Sequence, residues 1–158
     1  MSSNREQQQR RGGDQQRGGE PRQATRTPTD VSWVRAVIEK DDYPRLDQKA
    51  EEIGRSLRDD STKTQIRVIF GTVKRLEALK ARPAALQREL AMLRPRLAYT
   101  AARAKGLDAL RDVLIEASKV VEKNAAKSTQ RLVDLMEAIL CYSYAREAQS
   151  DQTREAHR

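Results

Sequence analysis

TKTQIRVIFGTVKRLEAL, residues 62 to 79, decides the fold. Ile66, Ile69, Phe70, Val73, Leu76 and Leu79 recur at steps of three and four, the spacing of one buried face of an amphipathic helix. Thr62 and Gln65 three residues later make a capping-box pattern at its start. Away from the apolar stripe, Lys63, Arg67 and Lys74 project within about 40° of one another at 100° per residue, with Gly71 and Ala78 beside them. From Arg67 to Lys74 the axial run is about 10.5 Å, the length of about three nucleotides. Such a track reads as a phosphate-binding edge or as an ordinary solvated face.

The same helical period runs outward in both directions. Leu46, Ala50, Ile53 and Leu57 form the preceding stripe, with Pro44 in a first turn where proline is accepted. Before it, Asp30 is placed to cap a short helix through Trp33, Val34, Val37 and Ile38. The acidic pairs Asp41-Asp42, Glu51-Glu52 and Asp59-Asp60 are adjacent in sequence and diverge on a helix, which assigns them to caps and solvated faces rather than to catalysis. Beyond residue 79, Pro83 opens a helix carrying Leu86, Leu90, Leu93 and Leu97, and Pro95 is expected to bend or restart it. Arg96, Tyr99 and Arg103 share its other face, flanked by Arg94 and Lys105. Tyr99 there is a stacking ring between cations or a packed ring, and the alanines at 98, 101, 102 and 104 favour packing by letting a neighbouring helix approach.

Gly106 ends that helix where a left-handed residue is favoured. Leu110, Val113, Leu114, Ala117, Val120 and Val121 make the next stripe, up to Asn124. The last helix, from about Lys127 to Ala148, is apolar over a wide arc that includes Leu132, Val133, Leu135, Met136, Ile139, Leu140, Tyr142 and Tyr144, as a central element would be. The fold predicted is all-α, a compact bundle of five to six helices over residues 30–148. It is preceded by a disordered Gln/Arg/Gly-rich arm, residues 1–29, and followed by a disordered polar tail, residues 149–158.

Composition narrows the function. The chain has 158 residues, enough for one domain and its tails. Residues 62–105 hold eleven Lys or Arg against Glu77 and Glu89, more than the whole chain's net charge of +8. A positive field so localised is the footprint of a protein that holds a polyanion. The arm repeats an Arg-Gly-Gly triplet at Arg11-Gly12-Gly13 and Arg17-Gly18-Gly19, read as a flexible nucleic-acid contact or a solubilising tail. Cys141 and His157 are single, which leaves no disulfide and no zinc set, and neither has the partners of a nucleophile or an acid-base pair. No metal or cofactor is expected. Without an apolar leader or a membrane-length run, a soluble cytoplasmic protein is the expectation.

Four phrases then occur in order: Ala50-Glu51 and Ile53-Gly54 within Leu46 to Leu57; Lys63-Thr64-Gln65-Ile66-Arg67 with Phe70, Val73 and Lys74; Leu93-Arg94-Pro95-Arg96-Leu97-Ala98-Tyr99 leading to Arg103; and Leu135-Met136-Glu137-Ala138-Ile139 with Tyr142. Together, over roughly residues 46 to 147, they resemble the small subunit of type III-A CRISPR effector complexes, the Csm family. The resemblance implies a non-catalytic helical bundle of antiviral defence, present in several copies. These stack beside other effector subunits and line the path of guide RNA and target RNA. It carries Arg67, Arg96 and Arg103 over as RNA-facing positions. Helix geometry alone adds Lys63, Lys74 and Arg75, and Arg94 and Lys105 complete the candidate RNA-binding set. The arm and the Trp33 helix lie outside the resemblance. Two other classes stay open: a helical scaffold whose basic surface meets an acidic protein, and a DNA-binding regulator, for which no recognition-helix signature is visible.

Overall fold

The structure, a computed structural model, describes residues 28–57 and 60–155, so the expected disorder of the arm falls almost entirely outside the described residues. Six helices follow in order: α1 Val34–Lys40, α2 Tyr43–Ser56, α3 Asp60–Ala78, α4 Pro83–Arg103, α5 Asp108–Lys123 and α6 Ala125–Glu155. The last extends past the expected end at Ala148, so residues 149–155 of the expected disordered tail are helical. The fold is all-α, and the described residues contain no strand. The predicted stripes supply the core, although Phe70 and Leu79 of the α3 stripe are only half-buried against it. Leu46, Ala50, Ile53 and Leu57 of the α2 segment, Ile66, Ile69, Val73 and Leu76 of α3, Leu86, Leu90, Leu93 and Leu97 of α4 and Leu110, Val113, Leu114, Ala117, Val120 and Val121 of α5 are all buried.

The wide apolar arc of α6 has the predicted consequence. Leu132, Val133, Leu135, Met136 and Ile139 are buried, and α6 packs against each of the other five helices. Its closest neighbour is α2, through Gly54. A Cβ at Gly54 would stand 2.6 Å from the Tyr142 Cβ, 2.9 Å from the Ile139 carbonyl oxygen and 3.0 Å from the Ser143 nitrogen. Only a residue without a side chain lets the two backbones meet there. The Tyr142 hydroxyl donates to Asp47 Oδ1 at 2.6 Å beside the same crossing.

Helix ends depart from the short-range signals. Asp30 does not cap α1, whose N-cap is Trp33; instead Asp30 Oδ1 accepts from the Ser32 amide at 3.0 Å and the Ser32 hydroxyl at 2.7 Å, closing a turn ahead of the helix. α1 stops at Asp41, which takes a left-handed φ of 57° and receives a hydrogen bond from Arg131 of α6. That bond holds the Asp41 carboxyl below the ordinary carboxylate range. Asp42 caps α2 by accepting from the Arg45 amide at 3.2 Å, with Pro44 in the first turn. The Thr62 capping box does not form. α3 begins two residues earlier, at Asp60, and the buried Thr62 hydroxyl donates to the Lys105 carbonyl at 3.1 Å, tying the start of α3 to the end of α4.

Pro95 does not interrupt α4, which is continuous from Pro83 to Arg103. The proline and Ala91, whose carbonyl loses its helical donor, are both exposed, so water can serve the freed oxygen. Gly106, at φ +85°, makes the left-handed turn into α5. Buried hydroxyls are turned back onto their own helices, as in Thr129 to the Ala125 carbonyl at 2.6 Å and Ser143 to the Leu140 carbonyl at 2.6 Å. Among the described residues no helix is long and apolar enough to cross a membrane.

Candidate nucleic-acid interface

A short turn over residues 79–82 joins α3 to α4, and the Thr62–Lys105 bond closes the far end. The two helices therefore run antiparallel, with the start of α3 beside the end of α4. α6 flanks the other side of α3 and is antiparallel to it as well, since Arg67 meets Tyr144 while Lys80 Nζ donates to Gln130 Oε1. The result is a surface of three helices, α6, α3 and α4, on which most candidate cations are displayed.

On the α6 side of α3, Arg67 is exposed, and its guanidinium carbon lies 5.2 Å from the centre of the Tyr144 ring, while its Nε donates to the Tyr144 hydroxyl. Lys63 lies one turn earlier, half-buried. Lys74 is exposed at the other end of the track, where its ammonium pairs with Glu77 at 2.9 Å. The hydrogen bond to Glu77 raises the Lys74 pKa, and the charges of Glu77, Glu137 and Asp134 add to it. The positive edge is thus strongest near Arg67 and fades toward Lys74. Arg75 is exposed on the outer side of the same helix.

On α4, Arg103 is exposed and repeats the arrangement of Arg67: its guanidinium carbon lies 5.4 Å from the centre of the Tyr99 ring, and Nη1 donates to the Tyr99 hydroxyl at 2.5 Å. Lys105 is exposed two residues on. Arg96, one turn before Tyr99, pairs with Glu89 at 2.8 Å. Arg94 does not join them. Two residues from Arg96 it points about 160° away on the helix, and it makes two contacts to Glu122 of α5, at 3.1 and 2.9 Å. The structure therefore gathers seven of the eight candidates on one side and assigns the eighth to holding α4 on α5.

Tyr99 corrects the packing expectation: it is 63% exposed, and no helix covers it. Beside it, between α3 and α4, an open cavity of about 270 Å³ is lined by Gln65, Val68, Ile69, Thr72, Leu93, Arg96, Leu97, Tyr99 and Thr100. Cys141, expected in the core or at its boundary, is exposed. Tyr144 is the partner of Arg67 that sequence reasoning missed. It stood in the apolar arc of α6, and its contact with Arg67 spans 77 residues, so no local pattern pointed to it. Among the described residues no group of His, Cys, Asp or Glu is arranged to hold a metal ion.

Two tyrosine-held arginines near one end of the α3–α4 pair, with lysines at 63 and 105, form a surface that can neutralise several phosphates. The tyrosine hydroxyl and ring restrain each guanidinium before any ligand arrives, which lowers the entropy lost on gripping an anion. Comparison with known proteins places this surface in a family. The profile described as Csm2 Type III-A matches residues 40–148, a span that contains every candidate cation and leaves α1 almost wholly outside. No curated protein and no solved structure matches the chain.

Proposed function

The chain belongs to the Csm2 type III-A family, subunits of type III-A CRISPR complexes, and we propose that within such a complex it is a non-catalytic RNA-binding subunit. It lines the path of guide RNA and target RNA in the cytoplasm, beside other effector subunits and neighbouring copies of itself. The observation that carries this reading is the pair of exposed arginines, Arg67 and Arg103, each stacked on a tyrosine on the three-helix surface. Lys63, Lys74, Arg75 and Lys105 extend the contact along that surface, and Arg96 borders it.

The mechanism is sequence-tolerant clamping. Lys and Arg meet phosphate oxygens and release the counterions condensed on the strand, which fixes the RNA's course while base pairing between guide and target carries sequence information. Binding by the free subunit is therefore salt-sensitive and weakly selective. Neutralising three phosphates of a single strand gives a log-affinity slope of about −2 against log salt. The test replaces Lys63, Arg67 and Lys74 together by Gln, which removes charge without setting new carboxylates beside Glu77, Asp134 and Glu137. Fluorescence anisotropy with single-stranded RNA should show a weaker affinity and a slope shallower by about 2, with the helical circular dichroism unchanged. A folded triple variant with the parent's affinity and slope refutes the assignment.

A further inference from the structure

The candidate cations differ in what holds them. Lys74 is paired with Glu77 at 2.9 Å, Arg96 with Glu89 at 2.8 Å and Arg94 with Glu122 at 2.9 Å, so a carboxylate already offsets each of these charges. Arg67 and Arg103 take a phenol instead. Nε of Arg67 donates to the Tyr144 hydroxyl, and Nη1 of Arg103 donates to the Tyr99 hydroxyl at 2.5 Å. A phenol orients a guanidinium without cancelling its charge. Among the described residues neither arginine has a carboxylate partner.

A phenolic oxygen that accepts an N–H keeps its own proton to give. The tyrosines of the molecule divide on this point. Tyr142 donates its proton to Asp47 Oδ1 at 2.6 Å and is committed within the fold. Among the described residues Tyr99 and Tyr144 act only as acceptors, so each still holds a donor. Tyr99 is 63% exposed, and Tyr144 is half-buried beside the exposed Arg67. At each place a charged N–H donor and a neutral O–H donor meet at one phenolic oxygen, the pairing that a phosphodiester with its two anionic oxygens can satisfy.

We propose that the Tyr144 and Tyr99 hydroxyls are direct RNA ligands, each donating to an oxygen of the same phosphodiester that Arg67 or Arg103 neutralises. The two composite sites, Arg67–Tyr144 and Arg103–Tyr99, lie on either side of α3 at the end of the surface where Thr62 is bonded to Lys105. The proposal rests on the reading that this surface grips RNA, and it separates two contributions there. The arginines release counterions and set the salt slope. The hydroxyls add a directed, uncharged hydrogen bond that raises affinity at every salt concentration.

Fluorescence anisotropy of the full chain with single-stranded RNA, over a salt series, tests this through a double-mutant cycle. Tyr144→Phe keeps the ring and deletes only the hydroxyl; it should weaken binding about tenfold while keeping the parent's slope. Arg67→Ala should weaken binding and make the slope shallower by about 1. The deciding comparison is Tyr144→Phe within the Arg67→Ala chain, where deleting the hydroxyl should still weaken binding by about threefold or more. Tyr99→Phe with Arg103→Ala should repeat the pattern, and Tyr142→Phe, whose hydroxyl serves Asp47, should bind as the parent does. If Tyr144→Phe weakens the parent but not the Arg67→Ala chain, the phenol only aims the guanidinium, and the proposal is overturned. Phe variants at 144 and 99 that bind as the parent does overturn it as well, as does an equal loss in Tyr142→Phe, which would mark a change of fold rather than a lost contact. In each of these outcomes Arg67→Ala still weakens binding and the RNA reading stands. Arg67→Ala and Arg103→Ala chains that bind as the parent does overturn both.

Discussion

Replacing Gly54 by alanine adds one methyl group at the tightest helix crossing of the molecule, and its cost can be worked out. The new Cβ would meet the Tyr142 Cβ at 2.6 Å, against an optimum of about 3.5 to 4.0 Å between carbons. It would also press on the Ile139 carbonyl oxygen at 2.9 Å and the Ser143 nitrogen at 3.0 Å. None of these atoms moves when a side chain changes rotamer, so α2 and α6 must separate by about 1 Å along the seam that buries Leu46, Ala50 and Ile53. Overpacking of this kind costs about 1–3 kcal/mol, and a backbone clash belongs at the upper end. Alanine returns about 1 kcal/mol through its helix preference. The net loss is about 2 kcal/mol, or roughly 8 °C in Tm for a domain of this size. Gly71 is the internal control, since it lies in the exposed face of α3 with nothing within 4 Å of a Cβ built there. Gly71→Ala should stabilise by about 1 kcal/mol. Urea and thermal unfolding followed by circular dichroism read both. A Gly54→Ala chain as stable as the parent, or a Gly71→Ala chain less stable, would refute the packing argument.

Arg94→Glu should leave RNA affinity and its salt slope unchanged while destabilising the fold by about 1 kcal/mol, because it sets a carboxylate against Glu122; RNA titration and urea unfolding of the same preparation separate the two effects. The Tyr142 hydroxyl is raised above its ordinary value of 10.0, first by its hydrogen bond to Asp47. Because the folded value is the higher one, the stability it contributes is fully present below about pH 10 and is lost as the pH rises through the folded value. Urea midpoints measured from pH 9 to 11.5 should therefore fall less steeply for Tyr142→Phe than for the parent, and identical slopes would count against the bond.

What could be read from sequence was whatever repeats along a helix. The core stripes of α2 to α5 and the central place of α6 follow from apolar spacing, because burial obeys the period of the backbone. Caps were less legible. The side chains of Asp30 and Thr62 have more than one partner to choose from, and in Thr62 the distant Lys105 carbonyl wins over the local capping box. Tyr99 was misjudged because small neighbours permit close packing without requiring it, and here no helix takes up the offer. The cations divide along the same line. That Arg94 and Arg96 leave α4 in different directions was available from the helical period, yet only the fold shows that Arg94 finds Glu122. Arg67 needed Tyr144, and nothing local in either segment announces that meeting.

The place of α6 has a consequence for synthesis. Of the six helices it leaves the ribosome last, and each of the earlier five leans on it. The nascent chain therefore cannot complete its interior until residues beyond about 140 have emerged. The Arg67–Tyr144 contact comes later still, so a prematurely terminated product carries the charges of α3 without the support that aims them. Maturation of the proposed binding surface is in this way coupled to finishing translation through α6.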